Sequence, residues 1–183
     1  GGVREKDGRR LQFVYQSSIN SARQKTQTLI KQACAKAGIE LELKAVQASV
    51  FFSSDVGNPD TVARFQADMQ QFAFSMGQPD PGRYMDQYVS WEFATKANKW
   101  QGRNTSRWRN DEYDRLYKAA ETELDPVQRA AMFIRMNDLV VQDHHILPLV
   151  FRPKIAGIGS KLVMPLSGWS EDMGLLAHWY REA

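Results

Sequence analysis

Between Leu11 and Val46 the hydrophobic period changes from two residues to about 3.6 and back to two. Leu11, Phe13 and Tyr15 alternate with Gln12, Val14 and Gln16, so one strand face is decidedly apolar. After a loop at Ser18–Asn20, the stretch Ser21–Ala37 carries Ala22, Leu29, Ile30, Ala33, Cys34 and Ala37 at helical spacing, and Gly38 is a natural C-terminal cap. Leu41, Leu43 and Ala45 then alternate with Glu40, Glu42 and Lys44. Strand, helix, strand with these lengths is a β–α–β unit, whose strands run parallel through a right-handed crossover. That places the chain in the α/β class.

The segments on either side are less regular. Residues 1–10 are polar and read as a loose start, ending in the turn dipeptide Asp7-Gly8. Val50-Phe51-Phe52 fits a short buried turn of helix, and Gly57-Asn-Pro59 breaks the chain. Met69–Met76 is apolar enough for a third strand, closed by the turn-rich run Gly77–Gly82. From Arg83 to Ala97 a partly helical segment carries Tyr84, Met85, Tyr88, Trp91 and Phe93, an aromatic load expected mostly in the core.

Two helices in series come next. Asn110 is an N-cap residue, and Asp111 and Glu112 place negative charge in the first turn, where free N–H groups favour it. Tyr113, Leu116, Tyr117 and Ala120 form the apolar face, with Arg115, Lys118 and Glu121 outward, and the helix should end near Leu124. Asp125 before Pro126, with Gln128 completing a capping box, starts a second helix reaching about His144. Its expected stripe is Val127, Ala130, Phe133, Ile134, Val140 and Val141. Ile146–Phe151, interrupted by Pro148, reads as a strand near a sheet edge, joining the β–α–β unit and the Met69–Met76 strand in one sheet.

Three of these pieces, Asn110-Asp-Glu-Tyr-Asp-Arg-Leu116, Leu124-Asp-Pro-Val-Gln-Arg129 and Ile146-Leu-Pro-Leu149, agree in order and spacing with one family. Together they resemble the C-terminal half of extracytoplasmic solute-binding proteins of the peptide/nickel class, which serve ABC importers. Ala37-Gly-Ile39 before a strand is also typical of that family. The resemblance implies one lobe of a type II periplasmic-binding fold, a mixed sheet flanked by helices. It implies that residues 1–183 are a single domain, the second lobe of a two-lobed protein, with 152–183 returning toward the missing N-terminal lobe. Arg152-Pro-Lys154 and Gly157-Ile-Gly159 look like that return, and Trp169 and Trp179 would find partners in the missing half. The Gly-Gly-Val start, without Met or a signal-peptide core, fits an excised piece. The implied partners are a peptide or similar solute and the permease subunits, and the implied location is periplasmic or otherwise extracytoplasmic.

Composition bounds the alternatives. Apolar residues at 43% and charged residues at 25% describe an ordinary globular chain, with no apolar run near the ~20 residues a membrane helix needs. The net charge is +3, but 24 basic and 21 acidic residues are interspersed, without the clustering that nucleic-acid binding requires. Cys34 is alone, which excludes an intrachain disulfide, and its apolar neighbours predict a buried small side chain.

No catalytic arrangement emerges from the spacing. Adjacent residues on a helix point about 100° apart, so His144-His145 is not a metal pair in the manner of His-Glu-x-x-His. There is no Gly-x-Ser-x-Gly elbow, and Gly157-Ile-Gly159 lacks the third glycine of a dinucleotide loop. Asp80 and Asp86 could do acid/base work, though carboxylates between prolines more often form turns. We expect no cofactor, no metal and no enzymatic activity. A hydrolase or metal-dependent enzyme is the first alternative, and a non-catalytic interaction domain the second.

Candidate ligand contacts lie on two loops. The family's cleft-facing loop ends a strand with an aromatic-x-x-Asp-Tyr-x-Asp-Pro sequence, and here it reads Phe74-Ser-Met-Gly-Gln-Pro-Asp-Pro81. Phe74, Asp80 and Pro81 match the motif, but Gly77 stands at the first Asp position and Gln78 at the Tyr position; Met76, at a variable position, is a further candidate contact. In oligopeptide-binding relatives that Asp holds the peptide's N-terminal ammonium, so Gly77 implies that Asp80 or a residue of the other lobe substitutes, or that the ligand has no free amine. The second loop, Trp100–Trp108, is rich in donors and aromatic faces; Trp100, Arg103, Asn104 and Arg107 would suit an anionic or carbonyl-bearing solute. Its other reading is a solvated loop whose tryptophans pack on the aromatic segment before it.

Overall fold

The computed structural model describes residues 2–151, 153, 155, 157–165 and 175–182. Trp169, Arg152 and Lys154 lie outside the described residues. The chain forms two compact units, one of Gly1–Phe74 with Trp91–Arg107, the other of Ser75–Ser90 with Trp108–Ala183.

The first unit is built on the predicted β–α–β element. Strand β3 (Gln12–Ser18) runs parallel to β4 (Glu40–Val46), with Phe13 opposite Leu41 and Tyr15 opposite Leu43. Helix α1 (Ser21–Lys36) makes the crossover; Asn20 Oδ1 accepts from the Ala22 and Arg23 N–H groups at its start. At its end Gly38 adopts φ +73°, and a Cβ there would sit 2.7 Å from Arg4 Cγ. The buried side of α1 is Gln27, Ile30 and Cys34, the last only half-buried, whereas Leu29 is 66% exposed and Ala33 faces solvent. The six apolar positions span more than one face of a helix turning 100° per residue, so only part of the set can reach the sheet.

Central β3 is covered on both sides at its C-terminal end, which buries Gln16, Ser17 and Ser18. Buried polar groups need partners. Gln16 Nε2 donates to Asp60 O, Ser17 Oγ to Gln71 O and Gln27 Nε2 to Tyr15 O, each at 2.8 Å. The third strand, β5, is parallel to β3 but covers only Met69–Gln71, shorter than the predicted Met69–Met76. The short helix α2 (Ala48–Phe51) buries Phe51 completely, as expected, but Phe52, at its C-cap, is 49% exposed. Residues 2–10 are not loose. They carry an antiparallel ribbon, β1 (Glu5–Lys6) with β2 (Arg9–Arg10), because Asp7 and Gly8 take the two positive φ values, 52° and 74°, that a tight hairpin needs.

The second unit is mostly helical. It comprises α3 (Gly82–Met85), a 3-10 turn at Asp86–Tyr88, α4 (Asp111–Thr122), α5 (Pro126–Gln142) and a two-stranded antiparallel ribbon, β6 (Leu162–Val163) with β7 (Tyr180–Arg181). Asn110 Oδ1 accepts from the Glu112 and Tyr113 N–H groups, and Asp125 Oδ1 from those of Val127 and Gln128. The Asp125 N–H itself donates to Glu123 Oε1 at 2.7 Å, the return bond that a capping box would have assigned to Gln128. The core is Met85, Tyr88, Val89, Trp108, Tyr113, Ala120, Phe133, Met136 and Val140. Tyr113 is fully buried, with Oη donating to Met85 O at 2.6 Å and its ring edge-on to Trp108 at 5.3 Å.

Two expectations fail in this unit. On α5 the buried stripe is Phe133, Met136 and Val140, while Val127 and Ile134 are 76% and 63% exposed. Ile146–Phe151 forms no strand, and Phe151 is 96% exposed. Apolar content alone does not make a strand; a ladder partner is required, and none of the described residues supplies one. The single four-strand sheet is therefore a three-stranded parallel sheet, order β4-β3-β5, and among the described residues antiparallel pairing is confined to the two ribbons.

Candidate ligand-binding site

The loop from Trp91 to Arg107 is built rather than slack. Asn104 N–H donates to Glu92 O (2.7 Å) and Ala94 N–H to Asn104 O (3.0 Å), with a bridge between Phe93 and Asn104. Gly102 makes this closure possible, since a Cβ would lie 2.2 Å from Glu92 O and 2.4 Å from the Phe93 carbonyl carbon. Asn98 closes the tip, its Oδ1 accepting from Thr95 N–H (2.9 Å) and its Nδ2 donating to Phe93 O (2.7 Å). Lys99 and Trp100 both take left-handed backbone, φ 55° and 62°, a conformation non-glycine residues hold only when their surroundings determine it.

Trp100 is the centre of a cationic cluster. The Arg64 guanidinium lies 4.6 Å from its ring centroid and that of Arg107 lies 6.0 Å away. Arg107, also left-handed at φ 58°, is fixed by backbone carbonyls: Nη1 donates to Ala94 O (3.2 Å), and Nη2 to Arg64 O (3.3 Å) and Phe65 O (3.0 Å). Burial holds its pKa below the usual arginine value. Arg64 in turn donates to Val56 O at 2.8 Å. Beside it opens a cavity of about 280 Å³ lined by Val56, Arg64, Lys96, Lys99 and Trp100.

The predicted contacts on this loop thus divide. Trp100 and Arg107 come together, with Arg64. Asn104 is fully buried, with Ser106 Oγ donating to its Oδ1 at 3.2 Å, and the Arg103 N–H donates to Glu92 Oε2 at 3.3 Å. Trp108, at the end of the stretch, is a core residue whose Nε1 donates to Asp143 Oδ2 at 2.7 Å and whose ring stacks on His145 at 5.7 Å. Arg64, Lys96, Lys99 and Val56 were not singled out by sequence. Lys96-x-x-Lys99-Trp100 offered a weak basic signal, and Arg64 offered none.

The other loop is arranged differently. In the first unit, Phe74 is 45% exposed, its ring edge-on to Phe72 at 6.2 Å. In the second unit, Met76, Gly77 and Gln78 are exposed, and a side chain at Gly77 would meet nothing within 4 Å. Asp80 is engaged on two sides. Its Oδ1 accepts the Gly82 N–H at 2.7 Å, and its Oδ2 lies 2.6 Å from Arg129 Nη1. The bond from Arg129 holds the Asp80 carboxyl below the usual range.

No protein-family model and no curated protein sequence matches the chain. Solved structures do. An oligopeptide-binding protein from Thermus thermophilus, complexed with a pentapeptide, is 28% identical with a TM-score of 0.68, over 82% of this chain and 26% of that one. The oligopeptide-binding protein AppA from Bacillus subtilis, in complex with a nonapeptide, gives 18% and 0.69 over 100% of this chain and 34% of that one. NikZ from Campylobacter jejuni, in complex with Ni(L-His), gives 18% and 0.59 over 74% and 25%. The chain thus spans about a quarter to a third of the length of these proteins. In fold, it matches that part of the extracytoplasmic solute-binding proteins of the peptide/nickel class, as its capped helices and β–α–β unit led us to expect.

Proposed function

We propose that this chain is the C-terminal lobe, residues 1–183, of a substrate-binding component of an ABC importer. The observation that supports this reading most is the 28% identity, spread over 82% of the chain, to a protein whose structure holds a pentapeptide. In this reading the longer protein captures a peptide or similar small solute between two lobes outside the cytoplasm and hands it to the permease subunits. Ligand contacts to both lobes favour the closed state by differential affinity, and closure is a hinge motion. The role is binding rather than catalysis. Phe74, Met76, Gly77, Gln78, Asp80, Trp100, Arg103 and Arg107 are the proposed contacts from this lobe, while Asn104, fully buried, braces the second loop instead.

Gly77 and Asp80 refine the solute. Gly77 has no side chain to hold an ammonium group, and the Asp80 carboxylate already faces Arg129 at 2.6 Å. Neither residue supplies an amine anchor in this reading, which favours solutes whose amine is absent or blocked. Native mass spectrometry of the longer protein, purified without refolding, tests the function by identifying a co-purified solute. Calorimetry on the longer protein and on this chain with that solute then tests the division of the site: losing one lobe removes roughly half of the contacts. Equal affinities would place the whole site in this chain and end the interlobe reading.

A further inference from the structure

We propose that the cavity lined by Val56, Arg64, Lys96, Lys99 and Trp100 binds a small organic anion, a carboxylate or phosphate attached to an apolar group. The charge pattern carries the inference. Three cationic side chains line one cavity of about 280 Å³, no acidic side chain lines it, and Arg107 stands against the same tryptophan. Other clustered cations have carboxylate partners, as in Lys44–Asp60, Arg129–Asp80 and Arg135–Glu112, whereas this cavity gathers three cations without one. Among the described residues Arg64, Lys96, Lys99 and Arg107 make no ion pair. The acids nearest these cations along the chain are engaged elsewhere: Asp60 pairs with Lys44, Asp68 Oδ2 accepts from the Val14 N–H at 2.7 Å, and Glu92 Oε2 accepts from the Arg103 N–H at 3.3 Å.

Such a cluster is self-repelling, and cation–π contact with Trp100 offsets only part of that cost. The cost is borne by a determined backbone: Lys99, Trp100 and Arg107 are all left-handed, and Gly102 admits no side chain. Arg64 Nε is buried without a hydrogen-bond partner. A carboxylate or phosphate entering the cavity would relieve the repulsion through charge-assisted bonds, while Val56 and the indole of Trp100 offer apolar wall to the rest of the molecule. As a solute class this rests on the capture reading above; as an anion site it rests on the cavity alone.

The test uses the 183-residue chain, 15N-labelled, and follows the Trp100 indole N–H resonance. The probes are hippurate, which joins a carboxylate to an aromatic ring, and its neutral amide. Hippurate should bind at least about tenfold more tightly than the amide, the margin expected of one charge-assisted contact. Raising salt from about 0.01 to about 1 M, which shortens the screening length from about 30 to about 3 Å, should erase most of the difference. The double variant Lys96→Gln/Lys99→Gln removes two exposed charges that carry no side-chain bonds in the described structure. It should weaken hippurate roughly fivefold or more with the other resonances unmoved. Equal binding of acid and amide, or no shift at Trp100 with either, overturns the proposal. Peptide capture by the longer protein with no preference for acids over amides would overturn the cavity as the solute's anchor and spare the transport reading. Hippurate selectivity here, without solute capture by the longer protein, would do the reverse.

Discussion

Arg129, in the first turn of α5, places Nη1 2.6 Å from Oδ2 of Asp80, so a loop acid expected to face ligand is tied to a helix of its own unit. The same arginine donates from Nε to Ala120 O at 2.9 Å and lies 4.7 Å from the Phe133 ring centroid. Asp80 therefore fastens the turn at Gly82 to the α4–α5 pair. Its carboxyl is held below the usual value, chiefly by the bond from Arg129. A depressed folded-state pKa contributes stability that is present above the unfolded value, about 3.9, and is lost as pH falls through the folded one. Both groups are partly solvated, so Asp80→Asn should cost about 1 kcal/mol or less at neutral pH. Urea melts from pH 7 to pH 2 should show the difference from wild type shrinking at the acid end. A constant difference would mean that the pair is not the cause.

Tyr113 supplies a cleaner stability test. Its hydroxyl is buried and donates to Met85 O at 2.6 Å, and burial pushes its pKa well above that of a free tyrosine. Tyr113→Phe keeps the ring contacts and orphans the carbonyl, so we expect a loss of about 1–3 kcal/mol in urea denaturation. An unchanged midpoint would show that Met85 O finds another donor.

Gly102→Ala should disrupt the loop that presents Trp100. The added Cβ would sit 2.2 Å from Glu92 O, a backbone atom that cannot swing aside. A loss of at least about 3 kcal/mol from the first unit, or displacement of the Trp100 indole resonance, is the expected result. Wild-type melting and spectrum would show that the bridge between Phe93 and Asn104 is dispensable.

Gly77 yields a ligand-side prediction. With no amine anchor at Gly77 and Asp80 engaged by Arg129, acetylating the N-terminus of a peptide should change its affinity for the longer protein by less than about 2 kcal/mol. Titration calorimetry with matched free and acetylated peptides measures this directly. A larger loss would reveal an anchor elsewhere.

Local physics was legible without coordinates. Asn110 and Asp125 each cap N–H groups two and three residues ahead, and the periods of Leu11–Val46 specify a parallel β–α–β unit, because these interactions lie within a few residues of each other; Asn20 makes the same cap from a stretch that reads in sequence only as loop. The resemblance carried by Asn110–Leu116, Leu124–Arg129 and Ile146–Leu149 led to the right fold through the same capped helices. Of the candidate site, Trp100 and Arg107 could be named from the chain, but not Arg64, which stacks on Trp100 only because the sheet returns the chain there. Tertiary structure also decided which apolar residues are covered. Leu29, Val127 and Ile134 fit helical stripes and yet face outward, since one helix face meets a neighbour and the rest does not. Ile146–Phe151 has strand-like composition without a strand, since a ladder needs a second edge and composition supplies only one.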